Sequence, residues 1–108
     1  MVRQIHPTDL AQLIAAGSKV VLVDVRQPWE HEVARLAGSV LIPLGELARR
    51  ADEVERPEGA MVVAYCHHGV RSLSGAAMLE QAGLGEVYSL AGGIDAWSML
   101  VDETIPRY

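Results

Sequence analysis

The sequence has no second cysteine. Cys66 stands alone, which excludes an internal disulfide framework and any thiolate-rich zinc site. Also missing is any apolar run close to the ~20 residues that a membrane span requires. The opening stretch MVRQIHPTDLAQLIAAG alternates charged and apolar residues and has no continuous signal-peptide core. The expectation is a soluble, cytoplasmic domain with no membrane partner. Clustered positive charge is absent as well: the net charge is −5, and Arg49-Arg50 is a pair that helical spacing leaves in solvent. That balance argues against nucleic acid as the main partner. Internal repeats, low-complexity tracts and linkers do not occur, so the 108 residues are expected to form one domain spanning 1–108. Half of them are hydrophobic, ample for a core.

Three short β-branched runs bounded by turn residues stand out: KVVLVDV (19–25), GSVLIPL (38–44) and AMVVAYC (60–66). They are too apolar on both faces for half-exposed strands, so they read as buried parallel strands. Arg3 to Ile5 and EVYSLAG (86–92) are weaker candidates. Helical patterns lie between them. PTDLAQLIAAG has a first-turn proline and a glycine stop, and PWEHEVARLAG is a short helix. LGELARRADEV places Leu44, Leu47, Ala48 and Ala51 at i, i+3, i+4 and i+7. RSLSGAAMLEQAG and GIDAWSMLV complete the set. Strands alternating with helices imply an α/β fold, a central, mostly parallel five-stranded sheet with helices on both faces, built from right-handed crossovers. Ligands of such sheets bind outside the carboxyl ends of the strands, and Cys66 ends its strand there.

A lone cysteine can be a small buried hydrophobe. Its neighbours argue for more. His67, His68 and Gly69 make a turn, and Gly69 permits a positive φ or a close backbone approach. The helix starting near Val70 or Arg71 aims its unpaired N–H groups and positive dipole end back at the loop. That arrangement is an anion cradle, and a thiolate inside it is stabilised. Arg71 adds a permanent charge able to pair with the thiolate or with an anionic substrate, and Ser72 follows it. Residues and spacing alone therefore point to a nucleophilic thiolate built to meet small anions.

Four segments together resemble the rhodanese-like sulfurtransferases, over nearly the whole chain. LVDVRQPWEHE resembles the D-x-R-x-x-x-E element through Asp24, Arg26 and Glu30. AGSVLIPLGEL resembles G-A-x-x-I-P through Gly38, Ile42 and Pro43. YCHHGVRS resembles the active-site loop C-x-x-G-x-R-S, and LAGGIDAW the closing L-x-G-G-x-x-x-W. ARLAGSV departs from the family's usual G-H-I-P-G-A, and the loop carries two histidines and no lysine. The resemblance implies a single rhodanese-like domain in which Cys66 is the nucleophile and Arg71 organises the loop and binds anions. His67, His68, Gly69, Val70 and Ser72 would form the substrate-binding loop. It implies transfer of a sulfane sulfur from thiosulfate or a persulfide to a thiol, cyanide or a sulfur-carrier protein, with no cofactor and no metal.

Other readings stay open. A thiol phosphatase or arsenate reductase is one, against which the spacing counts: phosphatases use C-x5-R, and here four residues separate Cys66 from Arg71. A partner-docking relay module with little free-standing activity is another. His67 and His68 are either acid/base groups or spacers lending backbone N–H groups; spacers fit better, because sulfur transfer needs little proton shuttling. A metal held by Cys66 and these histidines is not expected, since adjacent side chains rarely converge. Asp24 and Arg26 either edge the pocket or form an ion pair closing the strand-to-helix turn. Glu30 reads as a first-turn dipole complement and Asp95 as a helix-start carboxylate. Gly92 and Gly93 let the last strand turn beside the loop, Trp97 is core, and Trp29 is a partner-facing aromatic. His6 and His31 have solvated or capping roles.

Overall fold

A computed structural model describes residues 2–108. Its elements, in chain order, are β1 (Arg3–Ile5), α1 (Pro7–Ala15), β2 (Val20–Asp24), α2 (Pro28–Val33), β3 (Val40–Leu41), α3 (Leu47–Arg50), β4 (Met61–Tyr65), α4 (Arg71–Gln81), β5 (Val87–Leu90) and α5 (Gly93–Leu100). The five strands pair in the order β1-β5-β4-β2-β3, and every pairing is parallel.

Side-chain alternation along β4 divides the core in two. Val62, Ala64 and Cys66 face a cluster with Leu47 and Ala51 around α3 and with Ala76 and Leu79 of α4. Val63 and Tyr65 face the other cluster, with Leu10 of α1 and Ile94 and Trp97 of α5. A strand buried on both faces needs apolar side chains at successive positions, which is why β4 is a continuous apolar run. Trp97 is core, as its spacing on α5 implies.

Two segments differ from the sequence expectation. Only Val40 and Leu41 of the 38–44 run form a strand, and that strand is an edge. Ile42 and Leu44 still donate N–H groups to Asp24 and Val25, but Pro43 between them has none to give, and the ladder stops. The single helix expected over 44–54 is broken into a 3-10 turn at Leu44–Glu46, the one-turn α3, and a second 3-10 turn at Ala51–Glu53. Leu47, Ala51 and Val54 remain buried. The second 3-10 turn, closed by Val54 N–H on the Ala51 carbonyl, swings Val54 into the core.

Candidate active site

Cys66 leaves β4 at the carboxyl edge of the sheet, and α4 begins five residues later. The thiol is buried, with Cys66 1% exposed. Its Sγ accepts the N–H of Gly69 at 3.1 Å and of Ser72 at 3.3 Å. The first turn of a helix has N–H groups with no intrahelical partner, and Val70 at the N-cap makes no side-chain hydrogen bond to them. The sulfur takes the place a capping oxygen would fill. An anionic sulfur there meets the positive end of α4. The Ser72 hydroxyl lies 3.5 Å from Sγ and 2.7 Å from that of Ser89, and all three residues are buried.

The loop can point N–H groups at the sulfur because its carbonyls are held elsewhere. Ile94 donates to the Cys66 carbonyl at 2.9 Å and Asp95 to the His67 carbonyl at 3.1 Å, both from the first turn of α5. Two helix starts therefore grip one loop from opposite sides. Glycine is required at the closest approaches. Gly69 has φ +91°, and a Cβ on it would meet Gly92 N at 2.9 Å. A Cβ on Gly93, at φ +64°, would collide with the carbonyls of Cys66 and His67.

Arg71 opens α4 and turns to α2. Its Nη1 and Nη2 donate to the two oxygens of Glu30 at 2.8 and 2.9 Å, a fork-to-fork pair. That bidentate bond, with help from Tyr108 and despite burial, lowers the Glu30 pKa to about 2 and raises that of Arg71. A carboxyl depressed from 4.5 to about 2 stabilises the fold above pH 4.5, and the contribution disappears as pH falls toward 2. The shift corresponds to a contribution on the order of 3 kcal/mol at neutral pH. Urea unfolding of Glu30→Gln and the parent, run between pH 7 and 2.5, is expected to show a gap of that size that narrows below pH 4.5. A gap independent of pH would contradict the assignment.

Asp24 and Arg26 are both 0% exposed, and of the two readings the sequence left open they form the buried ion pair closing the turn after β2. Arg26 donates Nε to Asp24 Oδ1 at 2.8 Å and Nη2 to Asp24 Oδ2 at 2.7 Å, and it also reaches the Ala34 carbonyl. Burial alone would lower the Arg26 pKa, but the bonds to Asp24 and Tyr108 outweigh it and raise the value. The arginine gathers acceptors because no water reaches it. His31, on the next helix, sits with Nδ1 2.8 Å from Asp24 Oδ2, a more specific place than a solvated one.

The remaining loop residues separate. Val70 is exposed at the tip, whereas Ser72 is fully buried beneath the sulfur. The His67 ring is sandwiched, with centroids 3.9 Å from His68 and 3.9 Å from Tyr108. Burial, and then the neighbouring His68, lower its pKa, which favours the neutral ring. His67, His68 and Asp95 bring ligand atoms within 4.8 Å of one another. The two imidazoles are stacked at only 27°, however, and a metal must lie in the plane of each ring it binds. Arg107 already occupies the Asp95 carboxylate at 2.9 Å. This group does not fit a metal as it stands.

Two residues reached the site without a functional reading in the sequence. Glu30 carried one usable signal, its position in the D-x-R-x-x-x-E element. Tyr108 carried none: it folds back to donate to Glu30 and accept from Arg26, 78 and 82 positions away.

A parallel α/β sheet with a buried cysteine just past a strand end, its sulfur accepting the N–H groups of Gly69 and Ser72 at the start of the next helix, is an arrangement of the rhodanese type. The Rhodanese-like domain family model matches residues 6–100, and the chain belongs to that family. A sulfurtransferase from Allochromatium vinosum is 37% identical over 98 residues, covering 91% of this chain and 90% of the relative. The probable adenylyltransferase/sulfurtransferase MoeZ of Mycobacterium tuberculosis is 32% identical over 104 residues. The chain spans 26% of that protein's length and matches it over 96% of its own. Among solved structures, a rhodanese-related protein from Thermoplasma volcanium superposes with a TM-score of 0.77 at 33% identity, covering 96% of this chain and 95% of that one. The sulfurtransferase names among these relatives support a transferase. No helix among the described residues is long and apolar enough to cross a membrane.

Proposed function

We propose that the protein moves a sulfane sulfur through a persulfide on Cys66, taking it from thiosulfate or another persulfide and passing it to a thiol, cyanide or a sulfur-carrier protein. One observation carries this reading: Sγ lies at the focus of the Gly69 and Ser72 N–H groups, under the positive end of α4. The Cys66 thiolate attacks the outer sulfur of thiosulfate. A bond forms between Sγ and that sulfur, the S–S bond of thiosulfate breaks, and sulfite leaves with the electron pair. The negative charge on the enzyme moves one atom outward, from thiolate to persulfide, where loop N–H groups and the helix dipole offset it. An acceptor thiolate or cyanide then attacks the outer sulfur and expels the Cys66 thiolate. Covalent catalysis of this kind is ping-pong and needs no external oxidant.

In this reading Arg71, whose two Nη atoms are held by Glu30, is the cation that meets the donor's oxygens, sharing its fork between Glu30 and the incoming anion. His67 and His68 act as loop spacers: the reaction moves no proton through them, and His67 is held between two rings. Val70, 73% exposed, and Trp29, 58% exposed, favour a second reading in which a partner protein is the donor or acceptor. The compartment proposed is the cytoplasm, where a lone thiol stays reduced.

The test is intact-mass measurement after incubation with thiosulfate, beside a Cys66→Ser control. The parent is expected to gain one sulfur atom and lose it to cyanide, while the control gains none. Loading from a protein persulfide but not from thiosulfate supports the partner reading. Absence of loading from any donor, with hydrolysis of an aryl phosphate, sinks the proposal.

A further inference from the structure

Four charged side chains run in a line behind the active-site loop: Asp24, Arg26, Glu30 and Arg71. One phenol joins the inner pair to the outer pair. Tyr108 Oη accepts from Arg26 Nη1 at 2.7 Å and donates to Glu30 Oε2 at 2.7 Å. The same Oε2 accepts from Arg71 Nη2, while Oε1 takes Arg71 Nη1 and the Gln27 N–H. The Tyr108 ring lies flat on His67, with centroids 3.9 Å apart and an interplanar angle of 6°, and Trp29 meets it edge-on at 5.7 Å. Burial, followed by the bond to Glu30, pushes the phenol's pKa up to about 12, so it keeps its proton and remains a donor.

We propose that Tyr108 is a positioning residue for the anionic sulfur donor, fixing through Glu30 where the Arg71 guanidinium stands beside the Cys66 loop. The identity of that donor rests on the sulfur-transfer reading above.

The argument is one of hydrogen-bond count. With Tyr108 in place, each Glu30 oxygen has two donors, so the carboxylate has one orientation. Without the phenol, Oε2 keeps one donor and Arg26 Nη1 loses its acceptor. Glu30 keeps three of its four donors, but its Oε2 is released on the side that faces the Arg26 cation, which attracts it. Glu30 swings inward and draws the Arg71 fork away from the loop mouth. Such a shift weakens capture of the donor's oxygens and leaves the attack by Sγ itself unchanged, because the Gly69 and Ser72 N–H groups bond the sulfur and not Glu30.

Tyr108→Phe keeps the ring and removes only the hydroxyl. It is expected to raise the KM for thiosulfate about 5- to 10-fold with kcat within about twofold of the parent. Combined with Glu30→Gln, it should add less than about twofold to the KM, since the phenol acts through that carboxylate. Tyr108→Leu, which also removes the stack on His67, should lower kcat in addition. A thermal melt confirms that each variant is folded. Unchanged KM, a fall confined to kcat, or full additivity with Glu30→Gln overturns the proposal. If the parent loads no sulfur from thiosulfate, the sulfur-transfer reading fails and a separate measurement decides this one: calorimetric affinity for sulfite. Weaker sulfite binding by Tyr108→Phe than by the parent upholds the positioning role, and equal affinity refutes it.

Discussion

Gly93→Ala is expected to lose roughly 2–5 kcal/mol of stability, combining the cost of a left-handed backbone with that of an overpacked contact. Sulfur loading should be lost with it. At φ +64° the new Cβ would land on the carbonyl oxygens of Cys66 and His67. Those carbonyls are not free to retreat, because Ile94 and Asp95 hold them at 2.9 and 3.1 Å from the same helix start. The Cβ is fixed by its own backbone and the atoms it meets are backbone, so no side-chain rotation relieves the clash. Either the α5 start or the cysteine loop must shift, and a shifted loop no longer aims Gly69 and Ser72 at Sγ. Gly17→Ala is the matched control. Gly17 has a similar left-handed φ of +84° but nothing within 4 Å of its Cβ position. It should lose only the backbone part, about 1–2 kcal/mol, and keep normal loading. Urea denaturation with intact-mass loading of both variants decides the matter. Equal stability losses would mean that the clamp between α5 and the loop is not what holds the site.

The second large effect is at the buried pair. Asp24→Ala is expected to cost about 3–5 kcal/mol, because it leaves the Arg26 guanidinium at zero exposure without its carboxylate. The Ala34 carbonyl and the Tyr108 hydroxyl remain as acceptors, but neither carries the charge the cation requires. Arg26→Met is expected to be costly for the mirror-image reason, leaving Asp24 with His31 as its one side-chain partner. The double variant Asp24→Ala/Arg26→Met should be less destabilised than Asp24→Ala alone, since no unpaired charge stays buried. Urea unfolding of the three variants tests this. A double variant whose loss equals the sum of the single losses would show that the two residues act independently.

Much of the architecture was readable because it follows local rules. Apolar residues on both faces of 60–66 required a strand covered on both sides, and the alternation of strands with helices required parallel pairing. The cysteine closes that apolar run, directly after the strand Met61–Tyr65, which puts the thiol at the ligand edge. Gly69 and the Gly92-Gly93 pair were legible as backbone devices. What they serve was not, because a carbonyl clamp between residues 66–67 and 94–95 has no local pattern. The 44–54 segment misled through its helical spacing. Its apolar face is satisfied equally by an irregular run of short turns, and periodicity cannot distinguish the two.

The cysteine, its loop of six residues and the arginine that ends it were determined by the sequence alone: chain connectivity keeps them together in any compact fold of this type. The partners of that arginine were decided only by tertiary structure. Glu30 is 41 residues from Arg71 and Tyr108 is 78 from Glu30. They meet because the parallel sheet brings the β2 and β4 ends side by side and the C-terminal segment folds back over them. A hydrogen bond between side chains so far apart depends on that packing and on the exclusion of water it brings, and neither leaves a trace in local spacing.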